Sequence, residues 1–386
     1  MRSARNSRYI KKFNRSLILK SILRNSMSRA ELSDKIGLTR AAVTVIIEDM
    51  IRSGVISEAG KSNTSSGRKP VILDINPDGA FAFGVDITRE GCYIGLVDIK
   101  GNLRDKEGFL FGGSDKADGS LEKIAESINR IISRNNIGRG RIRGAGISAP
   151  GPLDVFQGVI LNPPNFDEWH NIRMNDFFMS RFSFAVNLEN NANAYALYEK
   201  NYGRGAKFNS FVLIAVTTGV GAGIVLNQQL YRGADGFGSE IGHTSIDFDG
   251  PECDCGNKGC LELYSSVPSI LKYAGTCGIS VSGWQEIADK AEKGDKGCIE
   301  LIRREAGYLS AGIINCINLL ETEAIILSGD ISYKPEILVE KIRKETEGKV
   351  ITRGLHNVSI FGGSKIEDLN IVSAASIVFD RMFCNI

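Results

Sequence analysis

The sequence predicts an α/β protein in two parts, an N-terminal winged helix-turn-helix domain and a larger body in which an α/β unit occurs twice. Three observations carry this. Residues 1–69 hold 15 Lys and Arg against 5 Asp and Glu, while the remainder holds 32 against 40. Within the basic head, capped segments repeat apolar residues at helical spacing. Beyond it, three strand-like stretches followed by alternating helix and strand recur. At 386 residues the chain exceeds one ordinary core. The expected domains are residues 1–78, residues 79–200 joined by a closing helix over 369–386, and residues 201–368.

Composition removes several classes. No apolar run approaches the roughly 18 residues of a membrane span, and the N-terminus is polar and basic, unlike a secretory leader. A cytoplasmic protein is expected, with no membrane partner. The 8 cysteines do not form a disulfide framework. Cys253, Cys255 and Cys260 crowd into one loop, and the scattered five, Cys92, Cys277, Cys298, Cys316 and Cys384, read as small buried apolar residues.

In the head, Leu17, Ile18, Ile22 and Leu23 form the apolar face of a first helix over 14–25, flanked by Arg8, Lys11, Lys12 and Arg15. Ser28 with Glu31 is a capping box that starts a second helix, which Gly37 ends. A third begins at Thr39, with Val43, Ile46, Ile47, Met50 and Ile51 on one stripe. Thr39, Arg40, Ala41 and Thr44 are left facing outward near its start. Two such helices joined by a tight turn present the second to the DNA major groove. Two short apolar stretches around the polar, basic run 61–70 read as a wing, whose Arg68 and Lys69 reach phosphates or the minor groove. A three-helix bundle used for protein contacts is the competing reading. Pro77-Asp78-Gly79 marks the boundary.

The body opens with alternating strands over 81–87, 92–98 and 103–111, then an amphipathic helix over 121–132. A strand over 143–147 runs into the loop Ala149-Pro150-Gly151-Pro152. A strand over 184–188 and a helix over about 190–201 complete the first set. The second has strands over 211–217 and 222–226, a long apolar helix over about 298–320, a strand over 324–327 and a helix over 335–344. A helix over 369–383 closes the chain.

Residues 239–262 have a chemistry of their own. His243, Cys253, Cys255 and Cys260 supply one imidazole and three thiolates, a complete tetrahedral shell for a structural zinc ion. Turns at Gly250-Pro251 and Gly256 allow a short loop to close round it. A closed shell leaves no open position for catalysis. Glu240 and Glu262 bracket the loop, and the competing reading of both is a pair of solvated carboxylates.

The run Glu240-x-Gly242-His243, the Cys-x-Cys-Gly-x-x-Gly-Cys-x-Glu loop ending at Glu262, and Glu189-Asn190-Asn191-Ala192-Asn193 resemble signatures of the ROK family of bacterial repressors and sugar kinases. The resemblance spans essentially the whole chain. It implies an actin-like body, ribonuclease-H-like in each of two lobes, with a sugar in the cleft. Carried over by position, the sugar ligands would be Asn190, Asn191, Glu240, His243 and Glu262, with Gly151 and Asn165 at the pocket's edge. His243 would then hold zinc through one ring nitrogen and donate to sugar through the other.

The family's kinases use an aspartate base where this chain has Asn191, an amide that cannot take a proton. Their first phosphate loop, Asp-x-Gly-Gly-Thr, is here Asp86-Ile87-Thr88-Arg89, and their adenosine-side Gly-Gly is Ser328-Gly329. Only Thr217-Thr218-Gly219-Val220-Gly221-Ala222-Gly223 keeps the second phosphate hairpin. The expectation is therefore a non-enzymatic, sugar-responsive repressor that binds palindromic operator DNA as a homodimer or higher homo-oligomer. Within the family, residues 244–251 and Glu262-Leu263-Tyr264 are most similar to xylose-responsive repressors, which implies xylose as the first inducer to test. A sugar kinase with an added DNA-binding head, and a repressor controlled by a protein, are the alternatives.

Overall fold

A computed structural model describes residues 7–61, 70–112, 116–352, 354–355 and 357–384. By its contacts the chain divides into two units, residues 1–190 with 370–386, and residues 191–369. The second is thus one continuous segment inserted between two parts of the first.

The head opens the first unit. Helix α1 (Ser7–Arg24) leads through the short strand β1 (Met27–Ser28) into α2 (Arg29–Ile36) and α3 (Arg40–Arg52). Both faces of the capping box are made: the Ser28 side chain accepts from the Glu31 amide, and Glu31 accepts from the Ser28 amide at 2.8 Å. Gly37 closes α2 at φ +75°, a left-handed conformation that favours glycine. Ile18, Leu32, Val43, Ile46, Ile47 and Met50 are buried together with Leu73, while Ile51 is only half-buried. Strands β2 (Ile56–Lys61) and β3 (Val71–Ile75) pair antiparallel, and β3 also pairs with β1. The wing tip, with Arg68 and Lys69, lies outside the described residues.

The first unit's main sheet holds β4 (Phe81–Ile87), β5 (Gly91–Asp98), β6 (Leu103–Leu110), β7 (Ile142–Ala149) and a strand at Val186–Asn190. Between the last two come three short strands, β8 (Leu153–Asp154), β9 (Val159–Ile160) and β10 (Ile172–Arg173), which form a small antiparallel sheet, and helix α5 (Met174–Met179). Helix α4 (Ala117–Asn135) lies between β6 and β7, and the Val186–Asn190 strand is β11. The main sheet runs β11-β7-β4-β5-β6, with β4, β7 and β11 parallel and β4-β5-β6 an antiparallel meander. Arg130 and Arg134 of α4 pair with Glu107 and Asp105 of β6, and the Arg134 guanidinium holds the Asp105 carboxyl below its usual range.

The second unit begins with α6 (Asn191–Asn201), followed by β12 (Phe211–Val216), β13 (Val220–Leu226) and β14 (Gln229–Tyr231). Next come α7 (Glu262–Ser265), α8 (Val267–Thr276), α9 (Trp284–Glu292), α10 (Lys296–Leu320), β15 (Ala324–Gly329), α11 (Glu336–Thr346) and β16 (Ser359–Gly362). Its sheet runs β14-β13-β12-β15-β16, with β12, β15 and β16 parallel and β12-β13-β14 antiparallel. Strand order and direction therefore repeat those of the first unit, which is the duplication the sequence predicts and the strand plan of an actin-like protein.

Helix α6 was expected in the first domain. It belongs by contact to the second unit, because Ala192 and Ala196 seat against Gly221 and Gly223 of β13, where any side chain would collide. The segment 261–292 carries three helices that sequence reasoning passed over. Helix α12 (Leu369–Cys384) returns to the first unit. It lies so close to the sheet that a methyl added at Gly84 or Gly146 would strike the carbonyls of Ile371 or Ala374. At its far end, the Ser16 hydroxyl of α1 donates to the Phe383 carbonyl.

This close approach makes Gly146→Val a severe lesion. Thermal unfolding should show a loss of about 3 kcal/mol or more, the upper end of overpacking. Gly307→Ala, on the exposed face of α10 with open space around it, should instead gain up to about 1 kcal/mol in the same measurement.

Candidate functional site

The loop between β14 and α7 has little apolar core of its own. Its shape comes from backbone bonds and four side chains. The Cys253 amide donates to the Asn257 carbonyl and the Gly256 amide to the Cys253 carbonyl, each at 2.8 Å. Isolated bridges join Ser245 to Cys260 and Glu252 to Lys258. Gly256 and Gly259 take φ +88° and +60°, and a side chain at Gly259 would hit the backbone of Asp247.

These turns bring His243, Cys253, Cys255 and Cys260 together, with one ligand atom from each lying within 4.8 Å of all the others. Cys253 Sγ is 3.7 Å from His243 Nδ1, and Cys255 Sγ is 3.6 Å from Cys260 Sγ. A tetrahedral ion bound at about 2.3 Å to sulfur has ligand edges of about 3.8 Å, so the set fits a metal. Burial, and then the neighbouring thiols, push the Cys260 thiol up to about 12. Deprotonated together, thiols this close would repel one another, and a bound cation would offset that repulsion. With Nδ1 turned toward Cys253, the other ring nitrogen of His243 is left for a different partner.

Glu240 precedes the 3₁₀ turn Ile241–His243, His243 ends it, and Glu262 is the first residue of α7. Gly242 is needed here, since a side chain would strike the Val220 carbonyl. The Val220 amide donates to Glu262 Oε2 at 2.9 Å, which ties α7 to the β12–β13 hairpin. The Glu240 side chain reaches solvent, yet its carboxyl lies above the usual range. Desolvation is the main cause and repulsion from Glu262 adds to it, while His243 opposes. The loop thus groups two carboxylates and an imidazole beside a metal-ligand cluster. Asn191 stands at the start of α6 in the same unit.

In the first unit, Gly151 follows β7 and faces the side-chain amide of Asn190, the last residue of β11. A Cβ at Gly151 would lie 3.3 Å from that nitrogen. Asn165 adopts φ +56°, beside a Pro164 whose carbonyl accepts from Arg89 Nε at 3.2 Å.

The Asp86–Gly91 turn is closed by its own residues. The amides of Glu90 and Gly91 donate to Thr88 Oγ1 at 3.2 and 3.1 Å, and the Thr88 amide donates to the Gly91 carbonyl at 2.9 Å. Asp86 is buried, with Ser148 Oγ donating at 2.6 Å and Asn370 Nδ2 at 3.0 Å, and burial raises its carboxyl. The amides of Thr88, Glu90 and Gly91 are thus engaged within the turn itself.

At the head, Thr39 caps α3 by accepting from the Ala42 amide at 3.2 Å, and Thr39, Arg40 and Ala41 are exposed. Thr44 is half-buried, and its hydroxyl donates to the Arg40 carbonyl at 2.8 Å. Sequence reasoning passed over Val45, which is 60% exposed on the same helix. An outward β-branched residue beside an apolar stripe was the signal available for it.

A sequence model described as the ROK family matches residues 82–381. The chain is 32% identical over 380 residues to the xylose repressor of Bacillus spizizenii, an alignment covering 97% of this chain and 96% of that protein. A glucokinase of Thermotoga maritima is 29% identical over 316 residues, covering 78% of this chain and 97% of the glucokinase. A solved ROK family transcriptional regulator, a homolog of the E. coli MLC protein, superposes with a TM-score of 0.80 at 25% identity and covers 97% of this chain and 98% of its own. The glucokinase is thus spanned almost entirely by the body alone, whereas both regulators are matched through the head.

Metal analysis of the purified protein should find about one equivalent of a divalent, tetrahedrally bound ion such as zinc per chain. Cys255→Ser should lower that content severalfold, while Cys277→Ser, outside the cluster, should leave it unchanged.

Proposed function

Because the chain belongs to the ROK family, we propose that it is a sugar-responsive transcriptional repressor whose winged helix-turn-helix head binds operator DNA. The observation that carries this reading is the full-length likeness to repressors, head included, set against a kinase likeness that stops at the body. The excess of basic residues over 1–69 supports it. So does the placement of Arg40, Ala41 and Val45 on the outward face of α3, where side chains of this kind meet base edges and thymine methyls.

The reading assigns the sugar's hydroxyls to Asn191, Glu240, His243 and Glu262 of the second unit. Carboxylates and amides suit this role, since each fixes a hydroxyl in direction as well as distance. Zinc in the His243, Cys253, Cys255 and Cys260 cluster would fix the imidazole and the loop beside it. Xylose is the first inducer proposed, on the likeness to xylose repressors. A homodimer is proposed because two heads fit two half-sites of a palindrome. The absence of disulfides among the described residues fits the cytoplasm.

Induction then follows from linkage. Sugar must bind the DNA-free form more tightly, and operator must weaken sugar affinity by the same factor.

No catalytic role is proposed. Asn191 cannot act as a base, the Thr88 turn has spent its amides, and the Val220 amide of the retained hairpin is bound to Glu262. The kept glycines of residues 219–223 favour the kinase alternative, and a coupled ATP assay with glucose and xylose tests it. Turnover abolished by Asn191→Ala would establish a kinase.

Operator gel shifts across xylose, glucose and N-acetylglucosamine test the repressor reading. Release by xylose is expected, and release by none of the three would sink it. Arg40→Ala should cost about 1–3 kcal/mol of operator affinity. Cys255→Ser should abolish the sugar response while leaving operator binding in place.

A further inference from the structure

Helix α7 carries Glu262, so whatever fixes α7 fixes that carboxylate. Two bonds tie it to the β12–β13 hairpin: Val220 to Glu262 Oε2, and the Val267 amide, just past α7, to the Thr217 carbonyl at 2.9 Å. Its other side rests on α10 in three successive contacts. Leu261 packs over Gly312, where a Cβ would lie 2.8 Å from Leu261 Cδ2. The Tyr264 and Tyr308 rings lie 4.7 Å apart. Ser265 then faces Glu305, completing an antiparallel run of 261 on 312, 264 on 308 and 265 on 305.

The third contact is unlike the others. Glu305 is 1% exposed and Ser265 0%. Neither carboxyl oxygen of Glu305, nor Ser265 Oγ, closes a well-shaped hydrogen bond among the described residues, although Ser265 lies within reach of the Glu305 carboxyl. A leucine or methionine here would cost nothing in desolvation, so a carboxyl in this core calls for a reason other than packing. Burial holds Glu305 well above the usual carboxylate range, with Ser265 and Arg304 opposing. Arg304 lies on the same helix, and its guanidinium sits over the Tyr273 ring of α8 at 3.6 Å and over Tyr308 at 4.8 Å. From α7, the Tyr264 hydroxyl is engaged with Asp247 at 3.3 Å. A carboxyl in these surroundings keeps its proton, which turns it from an acceptor into a donor.

We propose that Glu305 is a positioning residue, a buried carboxyl whose pairing with Ser265 fixes α7 and the Glu262 carboxylate at its start. The proposal rests on the assignment of Glu262 to the sugar and extends it to a residue that touches no ligand. Stability and recognition then part company at this position. An apolar replacement relieves the buried polar group but frees α7 to shift, whereas an amide keeps a neutral donor in place.

The test uses full-length, metal-loaded protein and the variants Glu305→Met, Glu305→Gln and Ser265→Ala. Each is measured for thermal midpoint, metal content, hydrogen exchange over residues 217–221, and calorimetric affinity for D-xylose and D-glucose. Glu305→Met should melt at or above the parent temperature with its metal intact. Its hairpin amides should nevertheless exchange about tenfold faster and its sugar affinity fall about tenfold, the scale expected when a supporting outer residue is lost. Glu305→Gln should restore both, and Ser265→Ala should match Glu305→Met. Parent-like exchange in Glu305→Met overturns the proposal; if that variant does not fold, parent-like exchange in Ser265→Ala does so. Parent protein that binds neither sugar refutes the sugar assignment alone, because the exchange measurement still decides the role of Glu305.

Discussion

The region from His243 to Cys260 is organised around one cluster, in which three thiols and an imidazole converge closely enough to hold a metal ion. Little else holds it, since most of residues 244–258 are exposed and their backbone bonds are local. Everything proposed for recognition hangs on this cluster. It orients His243, the 3₁₀ turn beside it presents Glu240, and the chain leaving Cys260 enters α7 at Glu262. A metal site that performs no chemistry can in this way set the geometry of polar groups that bind.

The duplicated sheet shows how one backbone plan is kept while its chemistry changes. In both units a meander leads into parallel strands, and the first turn of each meander is where a kinase of this kind would approach phosphate. In the first unit, Thr88 has taken over the amides of Glu90 and Gly91, and Arg89 is engaged with Pro164. In the second, the glycines persist, yet the Val220 amide serves Glu262. The two turns thus share a backbone plan but engage different amides within the fold.

Much of this was legible in the chain. The capping box at Ser28 and the stripe from Val43 to Met50 follow from local periodicity and form as their residues predict, whereas β4 and β5, read as alternating strands, are buried on both faces and only β6 alternates. The metal-ligand set was equally plain, because Cys253, Cys255 and Cys260 stand within one short loop. The helices α8 and α9 were legible but passed over: Val267, Ile270, Leu271 and Ala274, and then Trp284, Ile287, Ala288 and Ala291, recur at helical spacing. The assignment of α6 also escaped, because alanines at 192 and 196 reveal no preference until the glycines of β13 are seen opposite them.

What the sequence by itself determined is the inventory and its local order: a basic capped head, two sets of strands and helices, and a cluster of one imidazole and three thiols. These depend on neighbours within a few residues, where spacing and side-chain chemistry suffice. Only the tertiary structure decided which groups are already spent and which are stranded. Glu262 accepts from Val220, 42 residues away, Asp86 from Asn370, 284 away, and Glu305 is buried against Ser265. Pairings of this kind arise from how elements pack, and no local pattern encodes them.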